Sequence, residues 1–420
     1  MRDFAFKLYI VFLISFFLHL TARVPVLGLI RFDLLLVLII TVIIIASKNE
    51  HKKALRDSGG TGKYLKYLII FMLITLPLVE YPGSVLRVGA AGFIKAVIFF
   101  YFTIALVNTE KKLAFIVYVI LACQILRVFE PLFLNITEGY WGDATYIGGG
   151  EFAARLSGAP SDIINPNELG YVIVVSIILL YYLLLTRSSL LIKLVVLAVM
   201  GACMYALVLT ASRSAFLVLM GAILMVFWSS KYKSLFIVLS VMGAFVAFAN
   251  LSEFQRDRYL SIFSSDTKGG SSAQGRIDAL FSELEVVIDR PIIGHGLSTS
   301  GEAKYYVIGS SQISHNLYLE TAIELGMAGL IIYLLFLKSI IVNLKAVRDR
   351  RQSNPSGASF TEAFTRALFV WAVVTFVFSF AQYGLSIYVN YLIAGLAVVL
   401  TNDFEADEGV VLHKNRIPRS

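Results

Sequence analysis

His315 stands between Ser314 and Asn316 at the close of a polar stretch, Leu251 to Gln312, in a chain that is otherwise nearly all hydrocarbon. An imidazole at the lip of an apolar helix titrates near neutral pH and can remove a proton from a hydroxyl nucleophile, so His315 is the best general-base candidate in the chain. The competing reading is an interfacial His bonded to backbone. Asn316 beside it is a candidate polar contact to substrate.

Three arginines offer the complementary chemistry, because a guanidinium presents a forked and permanently charged set of donors to phosphate oxygens. Arg213 lies in Thr210-Ala211-Ser212-Arg213-Ser214 between two long apolar runs with hardly any loop. A charge so near hydrocarbon costs up to about 2.5–3.5 kcal/mol and less at the interface. It reads either as a snorkelling side chain or as an anion-binding one. Gly275-Arg276 opens a segment with Ile277, Leu280, Phe281, Leu284, Val287 and Ile288 at offsets 0, 3, 4, 7, 10 and 11, the pattern of an amphipathic helix ending before Pro291. Arg276 would then sit in its first turn, where a cation is disfavoured unless a carboxylate such as Asp278 or an anionic ligand compensates. Arg155 precedes Gly158, Pro160 and Asn165-Pro166-Asn167-Glu168, a structured turn in which Asn165 or Asn167 can cap the next helix. Arg155 itself has no local role in the sequence and is a third, less specific anion contact.

The elements that must position these residues are membrane helices. Hydrophobic residues make up 58% of the 420 and charged ones 15%, and the mean hydropathy is +0.79, well above soluble domains. Apolar windows fall near 4–22, 32–46, 64–80, 87–107, 113–134, 168–186, 193–210, 214–230, 234–250, 318–343, 364–383 and 386–401, each near the length that crosses about 30 Å of hydrocarbon. The expected fold is therefore an all-α polytopic membrane protein of about twelve transmembrane helices with a large helical outer loop. A β-barrel would instead show short alternating strands. Alternate short connections carry fourteen Lys and Arg against three on the opposite side, which puts both termini in the cytoplasm and the long polar loops 135–167 and 251–317 outside. Arg2 and Lys7 before the first apolar run read as an uncleaved first helix.

Other features carry less. The net charge of +8 is explained by these basic connections rather than by nucleic acid. Cys123 and Cys203 lie inside expected spans and leave no disulfide framework. Gly59-Gly60-Thr61-Gly62-Lys63 lacks the spacing of a phosphate-binding loop, because Asp57 and Tyr64 occupy two required positions. Gly294-His295-Gly296 reads as a turn with a structural His. The spacing of His295 and His315 to Glu302 or Glu320 matches no metal pattern, so neither metal nor cofactor is expected. Lys95, Arg127 and Lys338 are the charges that a transporter or flippase of lipid-linked sugars would use, and no internal repeat accompanies them.

The order Arg155-Leu156-Ser157-Gly158, Asn165-Pro166-Asn167, Thr210-Ala211-Ser212-Arg213-Ser214-Ala215, Gly275-Arg276, Pro291-Ile292-Ile293-Gly294-His295-Gly296 and His315-Asn316-Leu317-Tyr318-Leu319-Glu320, followed by Glu324-Leu325-Gly326-Met327-Ala328-Gly329, resembles the O-antigen ligase/polymerase family of bacterial envelope glycosyltransferases. The resemblance covers about 155–330. It implies transfer of a glycan from undecaprenyl diphosphate to an acceptor hydroxyl on the outer face of the inner membrane, the acceptor being a lipid A core or a growing glycan. Arg213 and Arg276 would hold the diphosphate, with Arg155 a further contact, and His315 would activate the acceptor beside Asn316. Inverting, metal-independent displacement fits a site that sees no ATP. The corresponding organisation is a scaffold at 1–150, a catalytic region at 151–345 including loop 251–317, terminal membrane helices at 346–401 and a cytoplasmic tail at 402–420. Ligase and polymerase remain alternatives, as does the flippase.

Overall fold

The computed structural model describes residues 1–47, 58–148, 151–162, 164–186, 189–229, 253–260, 270–311, 314–352, 360–382 and 384–401. In chain order the helices are α1 (Arg2–Phe17), α2 (Phe32–Ala46), α3 (Gly59–Thr75), α4 (Pro82–Leu106) and α5 (Glu110–Glu138), then a hairpin of β1 (Gly142–Gly148) and β2 (Glu151–Leu156). There follow α6 (Pro166–Leu185), α7 (Leu190–Thr210), α8 (Arg213–Ser229), α9 (Glu253–Leu260), α10 (Gly270–Asp289), α11 (Ser300–Ile308), α12 (Leu317–Gln352), α13 (Phe360–Phe378) and α14 (Tyr388–Thr401).

Among the described residues six helices, α4, α5, α6, α7, α12 and α13, are long and apolar enough to cross a membrane, and α2, α8 and α14 are shorter apolar helices. The chain is a multi-pass membrane protein. The windows expected at 4–22 and 64–80 fall on helices, α1 and α3, that are not among these nine, and 234–250 lies outside the described residues, as does the tail from Asn402, so six spans are shown of the twelve expected. The spans pack by close approach rather than by apolar drive, since lipid is as apolar as a Leu side chain. Gly395 of α14 shows this against α4, where an added Cβ would stand 2.9 Å from the Thr103 Cβ. The aromatic residues Tyr9, Phe12, Phe99, Phe102 and Tyr388 fill the adjacent core, Phe102 edge to face with Tyr9 and Phe12, and Phe99 tilted against Tyr388.

Two expectations need correction. Loop 135–167 is not wholly irregular, because β1 and β2 pair antiparallel with Asp143 opposite Arg155 and Ala144 opposite Ala154. Two short runs on either side of Gly148-Gly149-Gly150 are the sequence signal for that hairpin. The loop helix α10 begins at Gly270, so Arg276 is not in its first turn. Nor does its whole apolar face pack inward: Val286 and Val287 are buried with Ala303, Ala322 and Ile323, whereas Phe281 and Ile288 are 67% and 73% exposed. The inward face also carries Glu283, which is buried.

α12 is two helices joined at Gly326, whose φ of 64° and ψ of −176° fall where only glycine is at ease. The backbone groups released by the break are taken up by Pro291–Gly296. Met327 N–H donates to the Pro291 carbonyl at 2.8 Å, Gly296 N–H to the Glu324 carbonyl at 2.8 Å and His295 N–H to the Ile323 carbonyl at 2.9 Å. Irregular backbone at the membrane is tolerated only when protein satisfies it in this way. Gly294 and Gly326 permit the contact, since a Cβ on either would meet the facing backbone at 2.5 Å or less.

Candidate functional site

The tight connection between α7 and α8 is held by a polar knot. Ala211 takes a left-handed conformation with φ of 47°, and the Ser212 hydroxyl caps α8 by accepting from Ala215 N–H at 3.3 Å. Arg213 is therefore the first residue of α8, half-buried, at the positive end of a helix dipole. A cation there adds to the partial positive charge of the helix N-terminus, so the place favours an anion. The dipole argument that the sequence attached to Arg276 belongs to Arg213.

Arg155 is buried under this connection. Its Nε donates to the Thr210 carbonyl at 2.9 Å, the last carbonyl of α7, and its two terminal nitrogens donate to Asn167 Oδ1 at 3.0 Å and Thr145 Oγ1 at 3.3 Å. Asn167 Oδ1 also accepts from the Ser212 hydroxyl at 2.9 Å. Arg155 thus has the structural role that the sequence did not disclose: it ties the hairpin and the start of α6 to the residues preceding Arg213. Asn165, not Asn167, caps α6, through a capping box with Glu168. Short helix α9 covers the same knot from outside, with Tyr259 packed on Phe216 and Gln255 donating to the Val208 carbonyl at 3.3 Å.

The second group of residues surrounds His315. Asn316 is the N-cap of α12, its Oδ1 accepting from Tyr318 N–H at 3.0 Å and Leu319 N–H at 3.2 Å. Its side-chain oxygen is committed to this cap. Ser314 on the other side is fully buried and donates to Glu283 Oε2 of α10 at 2.8 Å. Glu283 Oε1 accepts from Lys304 of α11 at 2.5 Å. The His315 side chain between these anchored neighbours is exposed. Nothing in the sequence singles out Glu283 or Lys304, and Ser314 stands out only as the neighbour of His315, because the partners of Glu283 are 21 and 31 positions away. Arg276 lies on α10 seven positions before Glu283, and its side chain is outside the described residues.

A chain of contacts places both groups at one end of the bundle. Beside Arg213, Ala215 meets Gly170 so closely that a Cβ on the glycine would stand 2.5 Å away. The next residue, Tyr171, shares a 2.6 Å hydrogen bond with Thr375 near the end of α13. The Tyr318 hydroxyl donates to the Phe376 carbonyl at 2.7 Å, and Tyr318 is three residues past His315. An apolar groove of about 430 Å³ opens beside it, lined by Tyr318, Leu330, Leu334, Leu337, Phe376 and Phe380, with Lys338 and Ile341 farther along α12.

His295 is fully buried, with Nδ1 2.7 Å from Glu80 Oε2 and Nε2 3.0 Å from the Val286 carbonyl. It secures the last turn of α10 to the chain before α4, as expected of a structural His. Burial, with Glu80 beside it, pushes the neighbouring Tyr81 phenol up to about 12. Glu80, Asp289 and His295 are the group among the described residues that could hold a metal ion, with ligand atoms within 4.8 Å of one another. An ion there would have to displace the Glu80 hydrogen bond. Of the charges considered for transport, Arg127 is paired to Asp162 through bonds of 2.6 and 2.9 Å and to Gln124 at 3.0 Å, while Lys95 and Lys338 lie on exposed faces of different helices.

Residues 197–334 match the family model described as O-antigen ligase, a stretch that includes Arg213, Arg276, His315 and Asn316 but not Arg155. The chain is also similar to an O-antigen polymerase from Salmonella muenchen, 24% identical over 295 residues that make up 67% of this chain. That match spans 66% of the relative's length, just under two thirds. The two matches together support the O-antigen ligase/polymerase family as the family of this chain.

Proposed function

We propose that the protein transfers a glycan from undecaprenyl diphosphate to an acceptor hydroxyl on the outer face of the inner membrane, with both termini in the cytoplasm. The observation that supports this reading is the chain of contacts through Ala215, Gly170, Tyr171, Thr375, Phe376 and Tyr318 that links the neighbourhood of a helix-terminal arginine, Arg213, to that of an exposed histidine, His315. In the proposed reaction His315 takes the proton of the acceptor hydroxyl, whose oxygen attacks the anomeric carbon. The glycosyl–phosphate bond breaks with inversion, and the departing diphosphate is stabilised by Arg213 and by Arg276 from the loop helix. Arg155 contributes by holding the backbone behind Arg213. The donor's energy lies in the bond that breaks, and the arginines supply the charge stabilisation that a metal gives elsewhere. The groove beside Tyr318 has the apolar chemistry that an isoprenoid chain needs.

Polymerisation, with a lipid-linked glycan as acceptor, is the second reading, favoured by the name of the Salmonella muenchen relative. The test is to incubate purified protein with undecaprenyl-diphosphate glycan and either lipid A core or a second lipid-linked glycan, with and without EDTA, and to measure product and released carrier. Product with one acceptor alone separates the two readings. Movement of the donor across the bilayer without bond formation refutes transfer in favour of a flippase, and inhibition by EDTA refutes the metal-free chemistry.

A further inference from the structure

We infer that Glu283 is the positioning residue for the base, holding His315 in register with the loop helix that bears Arg276. The inference rests on the transfer reading above. Glu283 is 3% exposed and does not face substrate. Its carboxylate is divided between two jobs: Lys304, also 3% exposed, fixes Oε1 at 2.5 Å, which leaves Oε2 aimed at the Ser314 hydroxyl at 2.8 Å. Ser314 is fully buried, and the residue after His315 is the N-cap of α12. The backbone on both sides of His315 is therefore fixed while its ring stays exposed. Only the Ser314 side of that fixation comes from the loop helix.

A buried ion pair is a poor source of stability, because desolvation offsets most of the attraction, but it is a stringent source of geometry. Replacing both charges by neutral groups should therefore cost little, provided an acceptor for Ser314 remains. Position 276 is seven residues before Glu283 on α10, about 10.5 Å along the axis of a regular helix. Glu283 thus makes α10 the ruler between the arginine that meets the leaving group and the histidine that deprotonates the acceptor. A sliding of α10 would move both.

The test compares two double variants of the full-length protein. Glu283→Gln with Lys304→Met removes both charges and keeps an amide oxygen for Ser314, whereas Glu283→Leu with Lys304→Met removes the acceptor as well. A third protein, Ser314→Ala, deletes only the hydroxyl and guards against a double variant that fails to fold. A misplacement near 1 Å costs on the order of 100-fold in rate, so the Leu/Met and Ser314→Ala proteins should lose about 30–100-fold in kcat with donor KM within about threefold, and the Gln/Met protein should stay within about threefold of wild type. The pH–rate limb belonging to the base should flatten in the two impaired proteins and persist in the Gln/Met protein. Equal kcat in the Gln/Met and Leu/Met proteins, or wild-type kcat in Ser314→Ala, overturns the positioning role. So does a loss carried by KM. If wild type itself releases no carrier from undecaprenyl-diphosphate glycan, the transfer reading fails instead.

Discussion

Replacing Arg155 by Ala separates a residue that builds the site from one that touches the donor. The side chain is 5% exposed and donates to the Thr210 carbonyl at 2.9 Å, to Asn167 at 3.0 Å and to Thr145 at 3.3 Å. The longest contributes little. Hydrogen bonds from a charged donor are worth about 1.5–3 kcal/mol each, and a buried acceptor left without a partner costs its desolvation. Asn167 keeps Ser212 as a donor, so its share falls at the low end, whereas the buried end of α7 at Thr210 bears more of the loss. The expected destabilisation is about 3 kcal/mol, with Arg155→Lys intermediate because an ammonium cannot reach three acceptors in a fixed fork. Arg213→Ala, at a half-buried position, should change stability by less than about 1 kcal/mol while removing most transfer activity. The assay pairs thermal unfolding of purified protein in detergent with a donor titration of transfer. An Arg155→Ala protein with an unchanged unfolding midpoint and a selective loss of donor binding would refute the reasoning and make Arg155 a direct anion contact.

Further outcomes follow from other contacts. Asn316→Ala should cost about 1 kcal/mol through loss of the cap, and Asn316→Asp should retain stability; thermal unfolding measures both. Gly326→Ala should destabilise by more than about 1 kcal/mol, because its φ of 64° is unfavourable for alanine and the Cβ would meet the Ile292 backbone; the unfolding midpoint and the yield of folded protein report this. Arg127→Met should cost about 3–5 kcal/mol by leaving Asp162 buried without its partner, and the added change Asp162→Asn should recover most of that.

Long apolar runs made the membrane helices legible, because nothing but a spanning or buried helix accommodates them. The place of Arg213 at a helix end was legible for a related reason: two long apolar runs with almost no loop between them leave it nowhere else to stand. The cap at Asn316 has a readable pattern, a side-chain acceptor immediately before an apolar run, although the sequence also admitted a substrate contact. Arg155 was opaque because its partners, Thr210 and Thr145, come from a helix end and a strand whose meeting only the fold creates. The hairpin was overlooked because its strands are short beside the spans. On α10 the periodicity located the helix, but Glu283 and Lys304 turned part of its polar side inward, which apolar spacing cannot foretell.

The break at Gly326 sets His315, the base of the proposed reaction, apart from most of α12 mechanically. Lipid of different chain length changes the tilt of a spanning helix at a cost of fractions of a kcal/mol per ångström of mismatch. The turn Pro291–Gly296 grips both sides of the break, Leu317–Leu325 through Ile323 and Glu324 and the start of the second helix through Met327 and Ala328, so a change of tilt is taken up farther along α12. Transfer rates measured in thin and thick bilayers should accordingly differ little. On the proposed reading, the distance from His315 to the rest of the site is then set by the turn at Pro291–Gly296 and not by the thickness of the bilayer.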